Sequence, residues 1–306
     1  MISKNLTSLN GKSVRDYNAK TGVQNVDSVI YRLRVTYDSA NEGVNVPDLL
    51  RQFCADSNAV NVEELIIGAF DFEGGDSQDV VDALVECASK LPQLSVLFIG
   101  DITYEENEIS WINQSDVGPV LHAYPGLEYF RVRGGNGLSL GKVLQHNKLK
   151  FLIVESGGLP SNVIEQVSQA SLPNLEHLEL WLGSDNYGFE SKAEDFRAIL
   201  TGDKFPRLRY LGLRDSEIAD DLAVALQNAG VLNKIESLDL SMGTLTDEGA
   251  KALINNPAIK KLKMLDLHHH FMSEEVSKQF SQLGITVNVD DRQESDDGYR
   301  YVQVAE

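Results

Sequence analysis

At 306 residues the chain exceeds the usual length of one compact domain. Its 27 Lys plus Arg stand against 46 Asp plus Glu, a net charge of −19, which excludes a binder of nucleic-acid phosphates that works through clustered cations. A hydrophobic share of 42% supports a substantial core and excludes global disorder.

Residues 1–20 contain no apolar run long enough for a signal peptide or a membrane span. A cytoplasmic protein without a membrane partner is therefore expected. Cys54 and Cys87 are the only cysteines, each in an apolar stretch with helical spacing, and are expected as buried, reduced thiols.

From residue 30 onward one pattern, apolar-x-x-apolar-x-apolar, recurs nine times. It reads IYRLRV (30–35), VEELII (62–67), LSVLFI (94–99), LEYFRV (127–132), LKFLIV (149–154), LEHLEL (175–180), LRYLGL (208–213), IESLDL (235–240) and LKMLDL (262–267). Its middle apolar residue falls at 33, 65, 97, 130, 152, 178, 211, 238 and 265. Each run is followed by a Gly- or Ser-containing turn and then by apolar residues at helical spacing, as in Leu222, Leu226 and Ala229. Thr246-Asp-Glu-Gly249 reads as a helix start, with Thr246 as N-cap and acids in the first turn. Such a strand–turn–helix unit cannot bury its apolar face alone, so stacking of units into a solenoid is expected.

The runs, together with GTLTDEGAKAL (243–253), resemble leucine-rich repeats of the ribonuclease-inhibitor type, whose helices line the convex side. More narrowly, VRGGNGLSLG, LEHLELWLGSDNYG, LRYLGLRDSEIADDLA, LDLHHHFMS and the ending GYRYVQVAE are similar to a bacterial leucine-rich-repeat family of uncharacterised activity, often encoded beside radical-SAM proteins. The resemblance implies an α/β horseshoe with a concave parallel sheet of about nine to ten strands and convex helices. It implies no mechanism. The expected organisation is one domain over residues 1–306, with an N-terminal cap segment (1–28), repeats (29–289) and a C-terminal cap or tail (290–306).

Strand side chains alternate, so the fourth and sixth motif positions face the core, and the third, fifth and seventh face the concavity. The third position carries Tyr129, Phe151, His177 and Tyr210 on four successive strands. Neighbouring strands lie about 4.8 Å apart, so these rings should form an aromatic row. The fifth position adds Arg131, Glu179, Asp239 and Asp266, and the seventh adds Arg133, Glu155, Trp181, Arg214 and His268. Exposed aromatics flanked by Arg and Glu are the composition of binding hot spots. Two alternatives remain open: the rings shield one another without function, or residues 1–28 fold over them.

Three consecutive histidines, His268-His-His270, raise the question of a metal. His268 should face the concavity, His269 lies at the strand end, and His270 falls where the chain turns inward. One strand cannot aim all three at a single ion within the 2.0–2.3 Å that zinc requires. Only a cage of His268, Asp266 and Asp239 could form, and no metal or other cofactor is expected. The glycines of Gly134-Gly-Asn-Gly137 fit a dinucleotide fingerprint poorly, because Leu140 stands where the last glycine belongs. They fit a tight turn in the shortest repeat. No G-x-S-x-G elbow and no H-E-x-x-H motif occurs. The insert 101–114 is longer than a repeat turn needs, and its Trp111 is expected to pack on the convex side or the rim. Tyr299-Arg-Tyr-Val302 is apolar enough to dock as a terminal cap.

These readings point first to a non-enzymatic recognition module that holds a protein or peptide on the concave face, its partner offering an apolar anchor beside a basic segment. A second reading is an enzyme, or its substrate-holding accessory subunit, using Asp239, Asp266 and His268. A third is a scaffold that binds through its convex helices.

Overall fold

In the computed structural model, which describes residues 1–305, each apolar run forms one short strand and hands the chain to a turn and a helical segment. The strands are β1 (Ser8–Leu9), β2 (Lys12–Asp16), β3 (Val29–Leu33), β4 (Glu64–Ile67), β5 (Val96–Ile99), β6 (Tyr129–Arg133), β7 (Phe151–Glu155), β8 (His177–Gly183), β9 (Tyr210–Ser216), β10 (Ser237–Asp239), β11 (Met264–Asp266) and β12 (Thr286–Asn288). They lie side by side in sequence order in one sheet, parallel throughout except for the antiparallel pair β1–β2. This is a leucine-rich-repeat solenoid.

The fourth-position residues Leu65, Leu97, Phe130, Leu152, Leu178, Leu211, Leu238 and Leu265 are fully buried and pair with one another strand by strand. Helices outside the sheet close the core with their own apolar stripes, such as Val80, Val81 and Leu84 of the helix Gln78–Cys87. Thr246 caps the helix Asp247–Ile254 by accepting from the Glu248 amide. Cys54 and Cys87 are buried and unbridged. Gly134 adopts φ 107°, and a Cβ there would lie 2.7 Å from the Ile112 carbonyl oxygen, so the glycines of this turn serve backbone geometry.

Two expectations need correction. Tyr31, not Leu33, pairs with Leu65, so the first run is displaced by two residues and Leu33 takes the sixth position. Both residues are buried and apolar, and the alternation alone cannot separate a shift of two. The strand count is twelve rather than nine to ten, because β1 and β2 of the N-terminal segment extend the sheet. Residues 299–305 meet the last motif repeat through the Tyr301 carbonyl, which lies 3.2 Å from His269 Nε2. They turn back over the ends of the strands, with Val302 and Val304 buried and Tyr299 and Tyr301 exposed.

Candidate functional site

The parallel register puts Tyr129, Phe151, His177 and Tyr210 opposite one another on β6 to β9. Their rings form a continuous row, with centroid separations of 5.7, 5.4 and 3.9 Å in that order. All four are half-buried. The N-terminal segment leaves this row uncovered. Its Leu6, Leu9 and Val14 pack instead on Ile30, Ile66 and Phe98, the concave residues of β3 to β5. Arg32 fixes the segment by donating to the Leu6 carbonyl and pairing with Asp16 and Asp101.

Beneath and beside the rings lies a chain of charge pairs. Arg131 and Arg133 share the two oxygens of Glu155, at 2.5 and 2.7 Å, and both guanidiniums lie over the Phe98 ring. Glu179 receives three donors: His177 Nε2 at 3.2 Å, Trp181 Nε1 at 2.7 Å and Arg214 at 2.9 Å. Burial alone would raise the Glu179 carboxyl, but these partners outweigh it and hold the group at about 2. Asp239 accepts from the Tyr210 hydroxyl at 2.7 Å and from the Ser241 amide, and pairs with Arg214 at 3.3 Å. Burial, then the neighbouring Glu179 and Asp239, push the Tyr210 phenol well above its ordinary range.

The seventh position departs from expectation. Arg133, Glu155 and Trp181 are buried, with Trp181 only 8% exposed, rather than lining an open surface. Trp181 packs with Ile109, Met242, Val304 and Ile2, so the two terminal segments and the insert cover it. Sequence periodicity stops short of the termini and could not reveal this. Trp111 of the same insert is 60% exposed and does not pack down.

At the C-terminal end, Asp266 accepts from His268 Nδ1 at 2.8 Å and from its amide, while Asn288 donates to the other oxygen. His269 has a left-handed backbone (φ 58°) and turns its Nε2 to the Tyr301 carbonyl. His270 is buried, with Nε2 on the Val289 carbonyl and Nδ1 accepting from the Met272 amide. The three rings therefore diverge. Asp239 lies opposite Asp266 on the neighbouring strand, but its carboxylate is engaged by Tyr210 and Arg214. Among the described residues no group of three or more His, Cys, Asp or Glu is placed to hold a metal ion, and no helix is long and apolar enough to cross a membrane.

No protein-family model matches the sequence, and no curated protein matches it. Among solved structures, an internalin from Listeria monocytogenes is 12% identical with TM-score 0.38, covering 87% of this chain and 74% of that one. A leucine-rich-repeat protein from Leptospira interrogans is 15% identical with TM-score 0.42, covering 92% and 60%. A crystal structure of a Bacteroides fragilis protein aligns with TM-score 0.82 over 90% of this chain and 76% of its own. At 37% sequence identity over that span, the chain belongs to the same family as the Bacteroides fragilis protein.

Proposed function

We propose that the chain is a non-enzymatic recognition module of the ribonuclease-inhibitor-like type, acting as one domain over residues 1–306, that holds a protein or peptide segment on its concave face. The supporting observation is the half-open ring row from Tyr129 to Tyr210, backed by the ion pairs of Arg131 with Glu155 and of Arg214 with Glu179 and Asp239. Rings of this kind, rigid and partly desolvated before binding, make contact at small entropic cost. Arg131, Glu179, Arg214 and Asp239 set the ring positions, whereas Arg133, Glu155 and Trp181 act beneath the surface. An apolar anchor of the partner would sit on the row. A basic segment would lie toward Asp266 and His268, since Glu179, Asp239 and Asp266 face only Arg214, His177 and His268 in this half.

Buried thiols at Cys54 and Cys87 support a reducing, cytoplasmic setting. The narrower kinship with the family encoded beside radical-SAM proteins rests on the sequence motifs and belongs to this same reading. The test is a pull-down from native cytoplasm using the wild-type chain and a Tyr129→Ala, Phe151→Ala, Tyr210→Ala variant, read by mass spectrometry. Partners held by the first and lost by the second support the concave face. Equal retention at full yield overturns it and directs attention to the convex helices or the 101–114 insert.

The second reading, catalysis or substrate holding through Asp239, Asp266 and His268, has one observation in its favour: the 2.8 Å bond that orients the His268 imidazole. Asp239 is committed elsewhere, which leaves a dyad rather than a trio.

A further inference from the structure

Residues 301–305 cross the ends of β11, β10 and β9 and reach the turn after β7, with a bend at Gln303. Among the described residues five bonds hold them, and on the segment's side every one uses a main-chain atom; in one, the Met1 amino group donates to the Gln303 carbonyl at 3.4 Å. The Tyr301 carbonyl meets His269 Nε2 at 3.2 Å, and the Gln303 amide donates to the Met242 carbonyl at 2.8 Å. The Val304 amide donates to Asp215 Oδ1 at 2.9 Å, and the Ala305 carbonyl accepts from Ser110 Oγ. Side-chain recognition is limited to Val302 and Val304, which point inward, while Tyr299 and Tyr301 point to solvent.

The groove itself is built in. Asp215, Met242 and His269 stand at the same position of three successive repeats, and each adopts a left-handed backbone, with φ of 53°, 68° and 58°. That conformation is unfavourable for residues with a Cβ and turns their polar groups toward the passing segment. Val304 packs in a small cluster with Ile2, Ile109, Trp181 and Met242, separate from the main core. The connection before it, 294–300, is exposed throughout. The fit is also incomplete: Asp215 is fully buried, yet its Oδ2 has no hydrogen-bond partner. Native structures rarely leave such an atom bare.

We propose that this rim groove is a peptide-binding surface in its own right, taking a segment with β-branched residues at alternate positions, and that residues 301–305 occupy it as an intramolecular stand-in. Main-chain recognition with two side-chain pockets is the mode by which strand-like segments are exchanged between proteins. The favoured occupant carries threonine at the place of Val304, because its hydroxyl can reach the bare Asp215 oxygen. Release of the segment takes Val304 off Trp181 and raises its exposure, while Ile2 and Ile109 stay in place.

The experiment uses the full chain with Trp111→Phe, so that Trp181 is the one tryptophan left of two. Val302→Ser with Val304→Ser loosens the segment, and far-UV circular dichroism checks the fold. Should the serine pair unfold the chain, Val302→Ala with Val304→Ala carries the same test. The probes are the synthetic heptapeptide of residues 299–305, its Val304→Thr version and a scrambled control. Acrylamide quenching of Trp181 should rise in the loosened protein and fall again on addition of either matched peptide, with no response to the scrambled one. The threonine peptide should bind about tenfold more tightly, the effect of one satisfied buried group. Persistent shielding of Trp181 in the loosened protein overturns the proposal, because the segment is then not separable. So does exposure that neither peptide reverses. Equal affinity of the two matched peptides overturns the stand-in assignment.

Discussion

His177 and Tyr210 lie face to face, their centroids 3.9 Å apart and their planes 2° from parallel. The neighbouring ring pairs of the row are tilted by 34° instead. The difference follows from the tethers: His177 is drawn to Glu179, and the Tyr210 hydroxyl is drawn to Asp239, so both rings are fixed at their far ends. Two adjacent strands thereby present a single flat-stacked unit, while Tyr129 and Phe151 meet it at an angle.

Separating the ring from its hydroxyl tests this arrangement. Tyr210→Phe keeps the stack and removes the bond to Asp239, and should cost about 1–2 kcal/mol of stability in denaturant melts. Tyr210→Ala removes both and should also weaken a partner held on the row by about 2 kcal/mol or more, mainly through faster dissociation. If Tyr210→Phe weakens the partner as much as Tyr210→Ala does, the hydroxyl rather than the ring is the contact.

The fourth-position ladder gives a stability prediction. Leu178, Leu211 and Leu238 have no exposed surface and pair directly with one another. Changing any one to Ala deletes buried methyl groups and leaves a cavity in a stack whose neighbours cannot all collapse. The loss should be about 2–5 kcal/mol for each, read from thermal or urea unfolding. Unchanged melts for all three would mean that this ladder does not carry the core.

Acid should release the network around Glu179. Its carboxyl is held at about 2 in the folded chain, against an ordinary value of about 4.3 when unfolded. A depressed carboxyl contributes stability that is fully present above its unfolded value and is lost as pH falls through its folded one. The contribution is about 3 kcal/mol, and it should disappear between about pH 5 and pH 2. Glu179→Gln should flatten that part of the stability profile. The same acid loss in wild type and variant would show that the partners of Glu179 do not favour its charged form.

The runs that set the strands could be read from the apolar fourth and sixth positions, which recur in nine repeats and face the core. The same logic located the ring row and the divergence of His268, His269 and His270. It failed where alternation carries no information. A two-residue shift preserves the pattern, so Tyr31 and Leu33 could exchange roles. Trp181 occupies a concave position but is buried by Ile2 and Val304, which come from opposite ends of the chain. Residues 1–16 and 299–305 have no repeat period, and their docking depends on groups such as Asp101 and Asp215 whose burial emerges only when the sheet is assembled.

The Asp266–His268 pair makes the last prediction, and its sign depends on which group is displaced. The bond from His268 Nδ1 to Asp266 is the main cause raising the imidazole above its ordinary value, while burial works against it. Asp266 is held low by the same contact, although burial opposes that too. A histidine whose folded value is raised adds stability that is fully present below its unfolded value of about 6.5 and is lost as pH rises through the folded value. Wild type should therefore exceed Asp266→Asn in unfolding free energy by more near pH 6 than near pH 9. Nuclear magnetic resonance titration of the His268 Hε1 proton should show a lower midpoint in the variant. A protonated His268 also cancels the charge of Asp266, so a partner that meets this end with a basic segment should associate more slowly as pH falls through the His268 midpoint. In the variant that slowing should shift to lower pH, following the lowered His268 midpoint. An unchanged midpoint in Asp266→Asn would mean that the 2.8 Å contact does not hold the proton, and the electrostatic half of the proposed site would lose its support.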